Sequence, residues 1–291
     1  MSAPNSSAPN SALPEYEIYA IRYAKQALRS DGHMFLGGDH SKMIHGLDFF
    51  TYALKGGGRN WIVDTGMTAK QSERMGRKYD FICRPSEALA KIGITAASEP
   101  DVILTHAHFD HVGTLEDYRQ ARFHIQDEEM LHVTGRDMTH APFRAAYHAE
   151  DIKQLVDLVF ADRMIFHKGD VMLAPGIEFI LIGGHARGQA VLRVHTARGW
   201  VILASDAVHV FEETDQERPF AIFYDLPGML EGYRRLNRLA AAGGAWAPEG
   251  AKQNPRDMLI PGHDYRVTSA YPAAGPGLEG QILRLDKPPK W

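Results

Sequence analysis

The sequence of 291 residues has a single cysteine, no long apolar run and no excess of basic residues. Cys83 alone cannot form an intramolecular disulfide, and it excludes the cysteine-rich kinds of zinc site. The apolar runs are short pieces such as residues 201–204, so no segment is predicted to span a membrane. A net charge of −4, from 32 Lys and Arg against 36 Asp and Glu, argues against a dedicated nucleic-acid binder.

The first fifteen residues differ in composition from the rest of the chain. Residues 1–15 are rich in Ser, Pro, Ala and Asn and lack the basic and apolar segments of a secretory signal, which predicts a flexible tail. From residue 16 to residue 291 the composition is even and shows no linker, which predicts a single domain. We expect a cytoplasmic protein, since no targeting signal indicates another compartment.

Short apolar runs alternate with segments of helical periodicity along this domain. Strands are predicted at residues 61–63, 101–105, 121–126 and 178–182, and helices at residues 85–92, 148–160 and 229–242. Residues 190–195 and 200–205, joined by a short turn, predict a hairpin, and residues 258–260 predict the last strand. Strands interleaved with helices, plus a hairpin, indicate an α/β layered domain with mixed sheets.

Fifteen histidines are the most informative feature of the composition. Residues 105–111 read THAHFDH and follow directly after the predicted strand at 101–105. In an extended segment alternate side chains share one side, so His106, His108 and Asp110 are expected to project together and His111 toward a second position. Imidazoles and a carboxylate suit borderline divalent metals such as zinc.

Three more polar residues follow predicted strands. His185 follows the strand at 178–182, Asp206 follows the hairpin's second strand, and His263 follows the strand at 258–260. Each would be weak evidence alone, but together they suggest strand ends that converge on one cleft. Five histidines and two aspartates are enough ligands for two metal ions that each keep an open position.

This order of motifs resembles the metallo-β-lactamase superfamily. Four segments are similar to its N-acyl homoserine lactonase branch, namely FLGGD at 35–39, VDTG at 63–66, ILTH at 103–106 and PGHD at 261–264. The resemblance runs from about residue 16 to the end of the chain. It implies an αββα sandwich, in which two mixed β-sheets pack face to face with helices on the outer faces.

The resemblance also implies a ligand set. It assigns His106, His108 and His185 to one metal, Asp110, His111 and His263 to a second metal, and Asp206 to a bridge between them. The cofactors are then two divalent ions, with zinc preferred and iron, manganese or cobalt compatible with the same ligands. Asp64 matches a supporting aspartate of the family, and a carboxylate there would orient a ligand histidine.

The activity implied is the opening of a lactone ring, with an N-acyl homoserine lactone as substrate and quorum quenching as the role. A hydroxide shared by the two metals would attack the ring carbonyl, and Asp110 would carry a proton to the leaving group. Lactonases of this branch carry Tyr three residues after the bridging Asp, whereas this chain has His209. A histidine can donate a hydrogen bond or a proton, so we predict catalytic and substrate-binding roles for His209. Tyr224 is a second candidate for the substrate pocket.

Other segments are candidates for the pocket wall or for the core. Residues 37–50 border the substrate in relatives, and their aromatic side chains suit either an acyl chain or the core. Residues 138–147 are a further candidate for the cleft. Four histidines in strand, helix or loop patterns are predicted to be structural: His124, His132, His167 and His195.

Three alternatives remain open at this point. The same chemistry could act on a thioester, as in glyoxalase II, or on a cyclic amide, although Arg266 and Arg284 form no basic cluster for glutathione. Nucleic-acid processing, as in RNA-cleaving relatives, is disfavoured by the net charge of −4. A metal-binding protein without catalysis is the third. A small-molecule substrate is the expected partner, and a homodimer is compatible with the sequence.

Overall fold

The computed structural model describes residues 13–242 and 255–291. Most of the predicted tail, residues 1–12, therefore lies outside the described residues. No helix in these ranges is both long enough and apolar enough to cross a membrane. The strands are β1 (Glu17–Ser30), β2 (Met43–Gly56), β3 (Arg59–Val63), β4 (Asp80–Phe81), β5 (Asp101–Ile103), β6 (Arg122–Gln126), β7 (Met164–His167), β8 (Val171–Ala174), β9 (Ile177–Leu181), β10 (Ala190–Thr196), β11 (Gly199–Leu203), β12 (Leu259–Ile260) and β13 (Ile282–Arg284). The α-helices are α1 (Asp31–Met34), α2 (Ala69–Arg74), α3 (Pro85–Leu89), α4 (Asp127–Val133), α5 (Ala141–Arg144), α6 (Ala149–Phe160), α7 (Glu212–Asp215), α8 (Leu226–Ala241), α9 (Pro255–Met258) and α10 (Arg266–Ala270).

The strands form two mixed sheets. The larger sheet has the order β13-β1-β2-β3-β5-β6-β7, with β4 paired to β1. Neighbouring strands in the run β3-β5-β6-β7 are parallel. The smaller sheet has the order β12-β11-β10-β9-β8, and its neighbouring strands are antiparallel apart from the parallel β11–β12 pair. Short parallel strands of this kind need crossover connections, which the helices between them provide.

The main core lies between the two sheets, and helices cover their outer faces. Apolar side chains of β2, β10 and β11, such as Leu54, Val191 and Ile202, belong to one buried cluster. On the opposite face of the larger sheet, Phe123 packs in a second buried cluster with Leu155 of α6. Helix α8 contacts β11 and β12 of the smaller sheet. The predicted αββα sandwich is therefore confirmed.

Local sequence explains several helix boundaries. Pro85 occupies the first turn of α3, where its missing N–H is not needed, and the helix continues as a 3-10 turn to Ile92. Gly93 ends this segment with φ of 76°, a left-handed conformation that glycine adopts without strain. Helix α6 follows the predicted periodicity and buries Leu155 and Leu158.

The sequence interpretation missed the longest strands and the last one. The 14-residue strands β1 and β2 form an antiparallel pair with a register shift between Arg22 and Ala24. Polar and apolar residues do not alternate clearly along β1 and β2, because these strands contact several different neighbours along their length. The assignment of residues 258–260 as the last strand is wrong, since β13 follows and pairs with β1.

Two of the histidines predicted to be structural, the buried His124 on β6 and the half-buried His167 on β7, form a pair. His124 Nε2 lies 2.9 Å from Asp101 Oδ1, and His124 Nδ1 lies 2.9 Å from His167 Nε2. Burial lowers the pKa of His124 to about 4 and that of His167 to about 4, with nearby positive charges or the other imidazole acting in the same direction.

This pair of histidines predicts a loss of stability in mild acid. The unfolded chain, with histidine pKa values near 6.5, binds protons that the folded pair does not bind until about pH 4. We expect the free energy of unfolding to fall as the pH drops from 6.5 to 4, and His167→Gln to reduce that fall. Denaturant titrations of both proteins at several pH values measure the difference. Parallel pH profiles of the two proteins would contradict the prediction.

Candidate metal centre

The predicted ligand residues lie at the carboxyl ends of four strands. His185 follows β9, Asp206 follows β11 and His263 follows β12, and these three strands run in the same direction in the smaller sheet. The His106–His111 segment follows β5 of the larger sheet. Because the sheets pack face to face, these ends meet at one edge of the sandwich.

Two buried groups of ligand-type side chains form at this edge. The first contains His106, His108, His185 and Asp206, and the second contains Asp110, His111, Asp206 and His263. Within each group one nitrogen or oxygen atom from every residue lies within 4.8 Å of the others. Asp206 belongs to both groups, so the two are adjacent.

The nitrogen and oxygen atoms face one another at short distances. His185 Nε2 lies 2.9 Å from His108 Nδ1 and 3.3 Å from Asp206 Oδ2. The other oxygen of Asp206, Oδ1, lies 3.1 Å from His111 Nε2 and 3.0 Å from His263 Nε2. Each oxygen of Asp206 therefore faces a different group of imidazoles.

The position of Asp110 corrects the expectation drawn from strand geometry. Extended backbone predicted Asp110 beside His106 and His108, but β5 ends at Ile103 and a turn follows, in which the His111 N–H donates to the His108 carbonyl. This turn brings Asp110 Oδ2 to 3.7 Å from His111 Nε2 and 3.8 Å from His263 Nε2. The arrangement agrees with the one implied by the family resemblance.

The outer nitrogens of three histidines are held by oxygen acceptors. His111 Nδ1 lies 2.8 Å from Asp64 Oδ2, His185 Nδ1 lies 2.9 Å from the Ile222 carbonyl, and His263 Nδ1 lies 2.8 Å from the Asp48 carbonyl. Such contacts favour a proton on Nδ1 and leave the Nε2 lone pair directed into the cluster. The donor set and the geometry thus fit a pair of divalent metal ions.

Unsatisfied atoms support the same fit. Within the described residues, His106 Nε2 and His111 Nε2 are buried and lack a hydrogen-bond partner of acceptable geometry. Buried polar nitrogens without partners are costly, and a metal ion satisfies an imidazole lone pair. We therefore interpret these atoms as ligands.

The pKa values of the clustered side chains are shifted in different directions. Burial and neighbouring imidazoles hold the pKa of His106 and of His108 well below the usual range, so both are neutral and able to bind a metal. Burial opposes a charge on His111, but Asp206 and other carboxylates outweigh it and raise its pKa well above the usual range. Burial likewise opposes the charge on Asp206, and the surrounding histidines outweigh it, so its pKa is well below the usual range.

Glycine precedes two of the histidines because the backbone is crowded there. A Cβ at Gly184 would lie 2.5 Å from the Met229 Cα, and its φ is +80°. A Cβ at Gly262 would lie 2.5 Å from the Ser205 carbonyl oxygen. These contacts explain why Gly-His is the local sequence at both His185 and His263.

Asp64 is the predicted supporting carboxylate, and the structure places it behind His111. It also accepts hydrogen bonds from the Thr105 N–H at 2.8 Å and the Thr105 hydroxyl at 2.7 Å. Its φ of 58° is left-handed, a conformation that Asp and Asn tolerate. Asp64 therefore connects the β3 turn to the start of the histidine segment.

Replacing Asp64 with Asn tests this support. We expect metal affinity to fall by ~10–100-fold, because partners of this kind orient the ligand and raise its basicity. Competition with a chromogenic chelator measures the change. The matched control is Asp162→Asn, at an exposed residue with a similar φ of 56°. Equal affinities for the two variants would show that Asp64 has no such role.

His209 lies against the cluster, as the spacing from Asp206 predicted. Its Nε2 lies 3.1 Å from Asp206 Oδ2 and has no hydrogen bond of acceptable geometry within the described residues. The imidazole stacks on Phe220 with ring centroids 3.5 Å apart. Burial opposes its charge, but Asp206 and Glu213 outweigh burial and raise the pKa of His209 to about 9.

Sequence reasoning missed the residues that hold His209. Glu213 is fully buried, and its Oε1 lies 3.2 Å from His209 Nδ1 and accepts the His209 backbone N–H at 2.6 Å. Its other oxygen accepts the Tyr233 hydroxyl at 2.6 Å. The only signal in the sequence is the spacing of four residues between His209 and Glu213, which is common in helices.

A second buried glutamate joins two ligand segments. Glu129 accepts the Ala107 N–H at 2.9 Å through one oxygen and the Gly188 N–H at 2.9 Å through the other. Burial raises the pKa of Glu129, and these hydrogen bonds oppose the shift. Glu129 thereby ties the His106–His111 segment to the loop after His185, a role without a signal in the sequence.

Some of the residues predicted to form the substrate pocket line the cleft beside the cluster, and others pack next to it. Phe49, from the region expected to border the substrate, lines the cleft and packs on His263 with centroids 4.9 Å apart. The Tyr224 ring packs on His132 and Phe143, while Ile222 from the same stretch lines the cleft, and the substrate-binding role of Tyr224 stays a prediction. The backbone turns here because the Tyr224 N–H donates to the Gly184 carbonyl.

Comparison with known proteins identifies relatives of this chain. An N-acyl homoserine lactonase of Bacillus thuringiensis is 29% identical over 146 residues, which are 48% of this chain and 52% of that protein. The chain thus spans about half the length of the curated relatives it matches. The crystal structure of a quorum-quenching N-acyl homoserine lactone lactonase aligns with a TM-score of 0.68 at 21% identity, over 85% of this chain and 92% of that one.

A further similar structure is a dizinc quorum-quenching lactonase in complex with a product, with a TM-score of 0.63 and 16% identity over 87% of this chain and 89% of that one. At these identities the structural matches establish the fold. The sequence model of the metallo-beta-lactamase superfamily matches residues 50–267, a span that includes all seven residues of the two ligand-type groups. By this match and by its fold, the chain belongs to the metallo-beta-lactamase superfamily.

Proposed function

We propose that this protein is a hydrolase that holds two divalent metal ions and opens a lactone ring. The observation that carries the proposal is the pair of buried His/Asp groups that share Asp206 at the base of a cleft. Zinc is the proposed metal, since imidazole and carboxylate ligands suit it and a similar structure is described as dizinc. N-acyl homoserine lactones, the substrates named for several relatives, are the proposed reference substrates.

Two metal ions would supply polarisation of the carbonyl and a water of lowered pKa. The residues of the chain hold and move the protons. Asp110 lines the cleft beside His111 and His263, where its carboxylate can take a proton from the attacking water and give it to the ring oxygen as the C–O bond breaks. The product is a hydroxy acid, so atoms and charge balance.

His209 lines the same cleft as Asp110. Its Nε2 is buried 3.1 Å from Asp206 Oδ2 without a well-formed hydrogen bond among the described residues, and Phe220 and Glu213 hold the ring in place. We assign it the hydrogen bond to the substrate that the tyrosine provides in the lactonase branch. Apolar side chains, among them Leu47, Phe109 and Ile222, also line the cleft and would shield the ester from water.

Metal content and substrate class test the proposal on the same sample. Elemental analysis should find close to two equivalents of divalent metal, and a pH-stat assay should show acid release from lactones but not from thioesters or cyclic amides. Protein stripped by a chelator should lose the activity and regain it on addition of zinc. Cleavage of another class by a metal-loaded sample that leaves every lactone intact would overturn the lactonase assignment.

A further inference from the structure

A second cavity adjoins the metal cleft, and two arginines line both. This outer cavity has a volume of about 440 Å³, and Arg29 and Arg77 lie in its wall and in the wall of the cleft. The other residues of its wall include His33 and His40 but no aspartate or glutamate. The outer cavity is therefore electropositive, in a chain whose net charge is −4.

Arg29 is a buried cation without an anionic partner. It is 9% exposed, and its hydrogen bonds go to neutral acceptors, the His33 carbonyl at 3.1 Å and Gln26 Oε1 at 3.5 Å. Within the described residues no carboxylate lies within ion-pair distance of Arg29 or of Arg77. Burial lowers the pKa of Arg29 and the positive charge of Arg77 acts in the same direction, while Tyr79 and the more distant Asp110 act against them.

Three other buried or partly buried arginines are paired with carboxylates, whereas the half-buried Arg163 and Arg198 are held by backbone carbonyls. Arg22 contacts Asp48 at 2.6 Å, Arg193 contacts Glu178 at 3.2 Å and Arg218 contacts Asp31 at 2.8 Å. A buried guanidinium without such a partner is costly unless a ligand supplies the negative charge. The Phe220 ring, 5.4 Å from the Arg29 guanidinium, offers only a weak cation–π contact in its place.

We propose that Arg29 and Arg77 form an oxyanion subsite, which selects lactones whose acyl chain ends in a carboxylate or a phosphate-type group. The proposal rests on the proposed lactone hydrolysis and names the substrate class of the same site. The ring would react at the metal centre, while the anionic end would accept hydrogen bonds from the two guanidinium groups. The outer cavity gives room for that end.

Three homoserine lactones with the same three-methylene spacer test the selection. The N-glutaryl compound ends in a carboxylate, the N-(4-phosphonobutanoyl) compound in a phosphonate, and the N-(5-methylhexanoyl) compound in a neutral group of carboxylate size. We expect at least one anionic compound to exceed the neutral one in kcat/KM by about 10-fold, as for a charged hydrogen bond. The better of the two identifies the preferred oxyanion.

Three variants distinguish a loss of selection for the anionic end of the substrate from a general loss of activity. Arg77→Gln, at a half-buried position, should bring the anionic-to-neutral ratio of kcat/KM close to one, and Arg29→Gln should do the same if it folds. Arg119→Gln, at an exposed arginine that lines neither cavity, should keep the wild-type ratio. Equal kcat/KM values in the wild type, or an equal loss for both kinds of lactone in Arg77→Gln, would overturn the subsite.

A binding measurement makes failure of the subsite distinguishable from failure of the lactonase assignment. Glutarate and 5-methylhexanoate both present one carboxylate to the metals, and only glutarate carries a second. Calorimetry on the metal-loaded full-length protein should show glutarate binding about 10-fold tighter, with the difference lost in Arg77→Gln. This result supports the subsite even if no lactone is opened. Equal affinities would overturn it whatever the activity.

Discussion

Replacing Asp206 with Asn should remove most of the bound metal and most of the activity. Asp206 is 4% exposed, and it is the one residue common to both ligand groups found in the described part of the chain. Asn keeps the shape but removes the charge that faces His111 and His263 on one side and His185 on the other. We expect kcat/KM to fall by more than about 100-fold, since even the partners of metal ligands are worth ~10–100-fold.

Metal analysis and kinetics on the same preparation measure this effect. The metal content should fall from close to two equivalents to one or fewer. Asp162→Asn at an exposed turn is the control and should retain both metal and activity. Circular dichroism should confirm that the variant is folded. An Asp206→Asn protein that retains two metals and full turnover would refute the bridging role.

Replacing His209 with Phe should reduce kcat by about 100-fold, the lower end of the range for the loss of one hydrogen-bond donor to the reacting group. Phenylalanine preserves the stacking on Phe220, and the change removes both ring nitrogens, the Nε2 donor and the Nδ1 that contacts Glu213.

Glu213→Gln provides a companion measurement. Gln retains the size of Glu213 but weakens the support of His209 Nδ1, so we expect a smaller loss in kcat with KM nearly constant. Tyr233→Phe removes the hydroxyl that donates to Glu213 and should have the least effect. Unchanged turnover in His209→Phe would show that His209 makes no catalytically useful hydrogen bond to the substrate.

Strongly periodic segments of the fold were predictable because their signals are local. Helix α6 and the β10–β11 hairpin appear close to their predicted positions, since helical spacing and a short turn depend on neighbouring residues. β1 and β13 were not predicted, because their pairing joins the two ends of the chain and has no local signal. The packing of Tyr224 on His132 and Phe143 had no local signal either, since a single aromatic residue does not indicate which side of a loop meets the cleft.

The sequence by itself determined the chemistry of the site. The histidine segment after β5, together with His185, Asp206 and His263 after later strands, could be identified from residue type and strand-end position. Strand geometry alone placed Asp110 with His106 and His108, whereas the family resemblance predicted the division into two groups, and the turn after His108 produces it. The tertiary structure alone decided which buried charges lie near the centre, from Glu213 behind His209 to Arg29, which has no carboxylate partner among the described residues. Arg29 is distant in sequence from the ligand-type residues, and only the tertiary packing brings it to the cleft.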